Sequence, residues 1–348
     1  MTSDGQYQVL DAAGKLRKGA KPVMDDEFAL EGLRWMMLSR AFDVKATGLQ
    51  RQGRFGVFSP VLGQEASVVG SAMAFDPRID WLVPQYRELP AYLMWGFSLT
   101  KHILNLSGNP VAGRIPDDVN MLPPQVSLAA QLPHAVGLAW GLQIQEKEGI
   151  VLTYFGEGSS SEGDFHEACN LAGVVRAPIV FFLQNNQWAI STPREFQSAA
   201  RHFSDRAAGY GFEGRLVDGN DLLAVYEVTR EAVARARAGD GPTLIESVTY
   251  RMSFHNTTDN PSRYQDPAAL DEARGRDPIK RVQAYLAERG MWNDEREREF
   301  SEAAASEIDE AIAQAGQAPP PQPSQIFDHI FAELTPRQAA QRSELLGR

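Results

Sequence analysis

The feature that most constrains this chain is an alternation of short β-branched and aromatic runs with longer helical stretches. Residues 150–155 (Ile-Val-Leu-Thr-Tyr-Phe) close on Gly156, residues 179–183 (Ile-Val-Phe-Phe-Leu) run into Gln184-Asn185-Asn186, and residues 243–248 form a third run. Between and before them, residues 126–145, 162–174 and 221–238 read as helices. Runs that are apolar throughout belong to strands buried on both faces, and parallel neighbours need a crossover that a helix supplies. The expected fold is therefore α/β, with a mainly parallel sheet flanked by helices.

Around this centre, Asp25-Asp26-Glu27 opens a first helix in which Phe28, Leu30, Leu33, Met36, Met37 and Phe42 recur at near-helical spacing. Gly63-Gln64-Glu65-Ala66 leads into small residues up to Phe75, a helix suited to close packing against another backbone. Residues 108–125 carry Asn109-Pro110, Pro116-Asp117-Asp118 and Pro123-Pro124, which predicts a long ordered loop. Residues 275–315 have helical periodicity, and Ala318-Pro319-Pro320-Pro321-Gln322-Pro323 is a stiff linker to an appended helix and tail. The division is an N-terminal extension (1–24), an α/β domain with its C-terminal helices (25–316), and the linker and tail (317–348).

A net charge of -11 argues against a nucleic-acid surface and against a polybasic membrane anchor. No stretch has the roughly 18 uninterrupted apolar residues of a membrane span. Residues 1–23 lack the basic and apolar pattern of a secretory signal. The single cysteine, Cys169, rules out an internal disulfide and reads as a small buried helix residue. An acidic cytoplasmic enzyme is expected.

The chemistry concentrates at the ends of the first two runs. Gly156-Glu157-Gly158-Ser159 follows one strand and Asn185-Asn186-Gln187-Trp188 the next, so both turns emerge at the carboxyl edge of adjacent parallel strands, where open sheets bind ligands. Glycines beside Glu157 let backbone approach a diphosphate, and the following helix aims its N-terminus at the same anion. Mg²⁺ needs oxygen ligands and commonly shares its shell with phosphates. The Glu157 carboxylate, the Asn186 side-chain oxygen and the Trp188 carbonyl are the candidate metal ligands, with Gly158, Ser159 and Ala189 as further candidate cofactor contacts.

Gly156 and Asn186 stand 30 positions apart, and a glycine-acid-glycine turn followed at that distance by Asn-Asn resembles the thiamin-diphosphate fingerprint. Over about residues 20–335 the chain resembles the α subunit of the decarboxylating component of pyruvate and branched-chain 2-oxo acid dehydrogenase complexes. The matching stretches are Gly63-Gln64-Glu65-Ala66, Pro84-Gln85-Tyr86-Arg87-Glu88, Asn120-Met121-Leu122-Pro123-Pro124-Gln125, Ala189-Ile190-Ser191-Thr192-Pro193, and the loop from His255 to Tyr264.

The resemblance implies a thiamin-diphosphate-binding domain that uses Mg²⁺, decarboxylates a 2-oxo acid oxidatively and passes the acyl group to a lipoyl arm on an acyltransferase core. It implies that Tyr86 and Arg87 bind phosphate, that Leu128 props the cofactor rings, and that His255 contacts cofactor or substrate, as an acid or a hydrogen-bond donor. His255 and Tyr264 are the candidate catalytic residues. The glutamate that faces the pyrimidine ring comes in this family from a separate β subunit, so an α₂β₂ assembly is implied. Glu65 is read as structural, near the subunit interface.

The chain departs from the family at several points. Glu157 stands where most of the superfamily has Asp, Asn256 where some members carry a phosphorylated serine, Gln265 where the family commonly has arginine, and Gln184 where some branched-chain enzymes have one. Acetoin dehydrogenase is a neighbouring activity. A nucleotide-dependent dehydrogenase would need Gly-x-Gly-x-x-Gly after a strand, which is absent. A scaffold without cofactor would not need Glu157, Asn186 and Arg87.

Overall fold

The computed structural model describes residues 5–109, 112–328 and 330–347. The chain runs through α1 (Asp26–Arg51), α2 (Glu65–Ala72), β1 (Trp81–Val83), α3 (Leu89–Met94), α4 (Leu99–Leu106), α5 (Gln131–Ile144), β2 (Val151–Gly156), α6 (Gly163–Val175) and β3 (Ile179–Asn185). It continues through β4 (Trp188–Ala189), β5 (Thr192–Pro193), β6 (Glu213–Asp218), α7 (Leu222–Arg237), β7 (Thr243–Val248), α8 (Pro267–Gly275), α9 (Pro278–Ala287), α10 (Asp294–Gly316) and α11 (Pro336–Leu346).

The main sheet has the order β1-β2-β3-β7-β6, and every pair in it is parallel. Alternation along each strand divides the core. Val151, Phe155, Phe181 and Leu183 face α5 and α6, whereas Leu152, Tyr154, Val180 and Phe182 face the layer that holds α1, α2 and α7. A period of two on strands buried on both faces produces this three-layer arrangement and makes the runs apolar throughout.

The local signals act as anticipated at several places. Asp25 caps α1, its side chain accepting from the Phe28 amide at 2.8 Å. The small residues of α2 allow a close approach, since a Cβ on Gly70 would lie 2.8 Å from the Leu222 carbonyl oxygen at the start of α7. Cys169 is fully buried on α6.

Other expectations are corrected. The helix expected over 126–145 begins only at Gln131, because Val126 to Ala130 turn along the rim of a cavity and Ala129 adopts φ 62°. Strands β1 and β6 were not anticipated: the first has three residues, and the second, Glu-Gly-Arg-Leu-Val-Asp, is too polar to read as buried and forms the sheet's edge. Helix α8 starts before the C-terminal helical region foreseen from residue 275. Pro110, in the anticipated loop, lies outside the described residues.

Residues before α1 do not hang free. Val9 and Leu10 are buried, and their amides donate to Asp221 Oδ2 at 2.8 and 2.7 Å. Among the described residues no helix is long and apolar enough to cross a membrane.

Candidate active site

Parallel pairing of β2 with β3 sets Gly156 beside Gln184, so the two turns leave the sheet side by side. After Gly156 the backbone makes a single 3₁₀ turn, Glu157–Ser161, before α6. A Cβ on Gly156 would meet nothing within 4 Å, while one on Gly158 would lie 2.8 Å from the Ala189 Cβ, so the second glycine is needed for the hairpin β4–β5 to approach. Glu157 is 1% exposed; its Oε2 accepts from the Asn186 amide at 3.3 Å, and its Oε1 has no hydrogen-bond partner. Burial pushes this carboxyl up; the Asn186 amide counteracts that, as does the Gln197 side chain, which lies near without closing a hydrogen bond.

Asn185 and Asn186 divide their work. Asn185 Nδ2 donates to Glu246 at 2.7 Å and ties β3 to β7. Asn186 Nδ2 donates to Gln64 Oε1 at 3.0 Å, and its Oδ1 accepts from the Trp188 amide at 3.2 Å. Gln187 and Ile190 take positive φ, 73° and 55°, a left-handed backbone that costs a non-glycine residue roughly 1–3 kcal/mol and persists only where neighbours enforce it.

The enforcing neighbour is Arg251, three residues past β7 and fully buried. Its guanidinium donates to the Ile190 carbonyl at 2.7 Å, to the Trp188 carbonyl at 3.4 Å and to the Tyr264 hydroxyl at 2.5 Å. Tyr264 in turn donates to Asp259 Oδ2, which also accepts from the His255 amide at 2.7 Å. Arg251, Tyr264 and Asp259 thus connect the turn after β3 to the loop that carries His255.

Opposite lies the turn after β1. Arg87 is 6% exposed and donates to the Pro60 carbonyl at 2.7 Å, to the His255 carbonyl at 2.6 Å and to His255 Nδ1 at 2.9 Å. Tyr86 packs edge-on against His255. A guanidinium only donates, so Nδ1 accepts and the neutral ring carries its proton on Nε2. Burial, then the positive charges of Arg87 and Arg251, push the His255 imidazole down to about 4. The near-neutral acid anticipated at His255 is therefore replaced by a neutral ring, which can still donate a hydrogen bond.

One cavity of about 860 Å³ is lined by all the anticipated cofactor contacts: Tyr86, Arg87, Leu128, Glu157, Gly158, Ser159, Asn186, Trp188, Ala189 and His255. Tyr264 does not line it. Five orphaned buried atoms belong to residues of its wall, Glu157 Oε1, Gln184 Oε1, Gln64 Nε2, Trp188 Nε1 and His102 Nδ1, and the free Glu157 oxygen among them suits a polar, metal-bearing ligand. Among the described residues no group of three His, Cys, Asp or Glu side chains could hold a metal, so a cation here would depend on one carboxylate with amide and carbonyl oxygens.

Gln85 and Glu88 of the wall draw no role from the sequence, and Gln184 is noted there only as a departure from the family; all three are buried and polar. Arg251, which does not line the cavity, sits in no motif at all. Glu65, anticipated as structural, is fully buried, accepts from the Gly63 amide at 2.9 Å and pairs with Arg40 at 2.5 Å.

Known proteins match this chain over most of its length. Residues 33–324 match the family model described as the dehydrogenase E1 component. The 3-methyl-2-oxobutanoate dehydrogenase subunit alpha of Mycobacterium tuberculosis is 42% identical over 322 residues, covering 90% of this chain and 87% of that protein. The pyruvate dehydrogenase E1 component subunits alpha of Staphylococcus epidermidis and Bacillus cereus are each 38% identical over 340 residues, covering 97% of this chain and 91% of their own. A parallel sheet whose strand ends bring Glu157, Asn186, Arg87 and His255 to one cavity, together with these matches, places the chain in the dehydrogenase E1 component family, as an enzymatic alpha subunit of a 2-oxo acid dehydrogenase.

Proposed function

We propose that the cavity binds thiamin diphosphate through one Mg²⁺ and serves the oxidative decarboxylation of a 2-oxo acid, pyruvate or a branched-chain acid, with transfer of the acyl group to a lipoyl arm. The observation that carries this reading is the orphaned oxygen of Glu157, buried at the end of β2 beside Asn186. Glu157, Asn186 and the Trp188 carbonyl would hold the cation, an all-oxygen set suited to a hard ion. Thiamin diphosphate, when bound, supplies the electron sink for loss of CO₂.

The chain's own residues bind, orient and shield. Arg87 offers a planar fork to phosphate oxygens, and Tyr86 packs beside it. Gly158, Ser159 and Ala189 bring backbone close to the anion, and Leu128, 41% exposed at the rim, is free to support the cofactor's rings. His255, neutral and protonated on Nε2, donates a hydrogen bond to cofactor or substrate. Tyr264 acts at one remove, by holding the His255 loop through Asp259.

The rest of the active site comes from a β subunit in an α₂β₂ assembly that works with an acyltransferase core in the cytoplasm. Residues 25–316 form the cofactor-binding domain, with an extension before and a linker and tail after. Glu65 lies near the subunit interface. Titrating the co-expressed pair with thiamin diphosphate, with and without Mg²⁺, should give saturable binding only with the metal; binding indifferent to Mg²⁺ would refute the ligand set. Parallel assays with pyruvate and 3-methyl-2-oxobutanoate identify the substrate.

A further inference from the structure

Arg87 sits on a turn that must hold a fixed distance from Glu157, yet its own hydrogen bonds go elsewhere, to Pro60 and His255. What ties the turn to the strand ends is a buried polar bridge. Glu88, 1% exposed, accepts from the Gln85 amide at 2.9 Å and from Gln184 Nε2, at the end of β3, at 2.6 Å. Tyr92 donates to the Gln85 carbonyl at 2.8 Å, so both polar atoms of that residue's main chain are held. The Gln85 side chain then reaches the end of β2, accepting from the Gly156 amide at 3.2 Å and donating to Ser159 Oγ at 3.4 Å.

The position of the charge is telling. The Glu88 oxygens are met by neutral donors, an arrangement that leaves a buried carboxylate poorly compensated and costs stability unless the geometry is used. Its two oxygens join two different elements, the Tyr86-Arg87 turn and β3, and Gln85 joins the same turn to β2. Taking the cavity as the cofactor site proposed above, we infer that Glu88 is a positioning residue: with Gln85 and Gln184 it fixes the Arg87 turn to the strand ends that carry Glu157 and Asn186.

The test is a double-mutant cycle in the enzyme co-expressed with its β subunit, reading the thiamin diphosphate Kd by tryptophan fluorescence at saturating Mg²⁺. Glu88→Gln should raise Kd about tenfold while leaving the thermal midpoint of the cofactor-free enzyme nearly unmoved, and should lower kcat at saturating cofactor by less. Because Glu88 acts through the Arg87 turn, adding Glu88→Gln to Arg87→Ala should change Kd by no more than about twofold.

Multiplying effects, or an unchanged Kd with Glu88→Gln, overturn the inference. If Arg87→Ala leaves Kd untouched, the cofactor reading of the cavity fails and the inference fails with it; if Arg87→Ala weakens binding and Glu88→Gln does not, only the inference fails. Should Glu88→Gln not assemble, Tyr92→Phe keeps the carboxylate and removes the hydroxyl that donates to the Gln85 carbonyl at 2.8 Å and reaches Glu88 Oε2 at 3.5 Å. A rise of about threefold in Kd supports the bridge, and no rise overturns it.

Discussion

The two sides of the cavity are built differently. Glu157 and Asn186 stand at the ends of β2 and β3, where a parallel ladder and two apolar layers fix the backbone before any polar group is considered. His255 stands in a loop without a strand, held by Arg251, Tyr264, Asp259 and Arg87. Backbone pairing is generic and spread over many residues, whereas a side-chain clamp rests on a few atoms. Loss of one residue should therefore remove chemistry on the first side and geometry on the second.

The largest expected effect breaks the strand side without disturbing its fold. Replacing an outer partner of a metal ligand commonly costs 10–100-fold, so Glu157→Ala, which removes the proposed ligand itself, should lower Mg²⁺-dependent cofactor affinity by more than about 100-fold. Circular dichroism should stay unchanged; loss of structure would show that Glu157 supports the fold instead.

Arg251→Leu should do the reverse, costing about 3–5 kcal/mol and exposing residues 253–265 to protease, because three carbonyls, of Trp188, Ile190 and Ser253, and the Tyr264 hydroxyl lose their donor. Arg251→Lys should recover only part of this, since an ammonium cannot span the same fork. Equal protection of the loop in both variants and the parent would contradict the clamp.

Two histidines sharpen the contrast. His102, on α4, is pushed down to about 4 by burial alone, and its Nδ1 has no partner, whereas His255 is lowered by burial and by two guanidinium groups. An unfolded histidine titrates near 6.5, so between pH 6.5 and 4 the unfolded chain binds more protons and stability falls as the pH falls. Below about 4 the His102 contribution is fully lost, some 3 kcal/mol in all. His102→Phe should flatten that slope in denaturant midpoints taken at pH 7 and 5, and an unchanged slope would refute it.

The smallest effect is Tyr264→Phe. It deletes one hydroxyl between Arg251 and Asp259 and should cost about 1 kcal/mol, with a modest rise in loop proteolysis and cofactor affinity nearly kept. A large loss of turnover at full cofactor occupancy would instead assign Tyr264 to the chemistry.

Legibility followed the same division. The apolar runs at 150–155, 179–183 and 243–248 are strands, because burial on both faces leaves no room for polar residues. The edge strand β6 and the three-residue β1 escaped, since neither needs an apolar pattern to pair. Helix α5 starts later than expected: Leu128, Ala129 and Ala130 are good helix formers, but the chain there is turned along the cavity rim. Arg251 has no signal: a single arginine after a strand gives no sign that Trp188, Ile190, Ser253 and Tyr264 will all accept hydrogen bonds from it.

The sequence by itself determined that strands and helices alternate, that a glutamate and an asparagine end neighbouring strands, and that the chain resembles its family, because periodicity and turn chemistry are local. Tertiary structure alone decided that Glu88 and Gln184 would meet across 96 positions, that Arg251 would lock two loops, and that His255 would be held neutral. Those outcomes depend on burial and on partners distant in the chain, and both exist only after the sheet has brought the segments together.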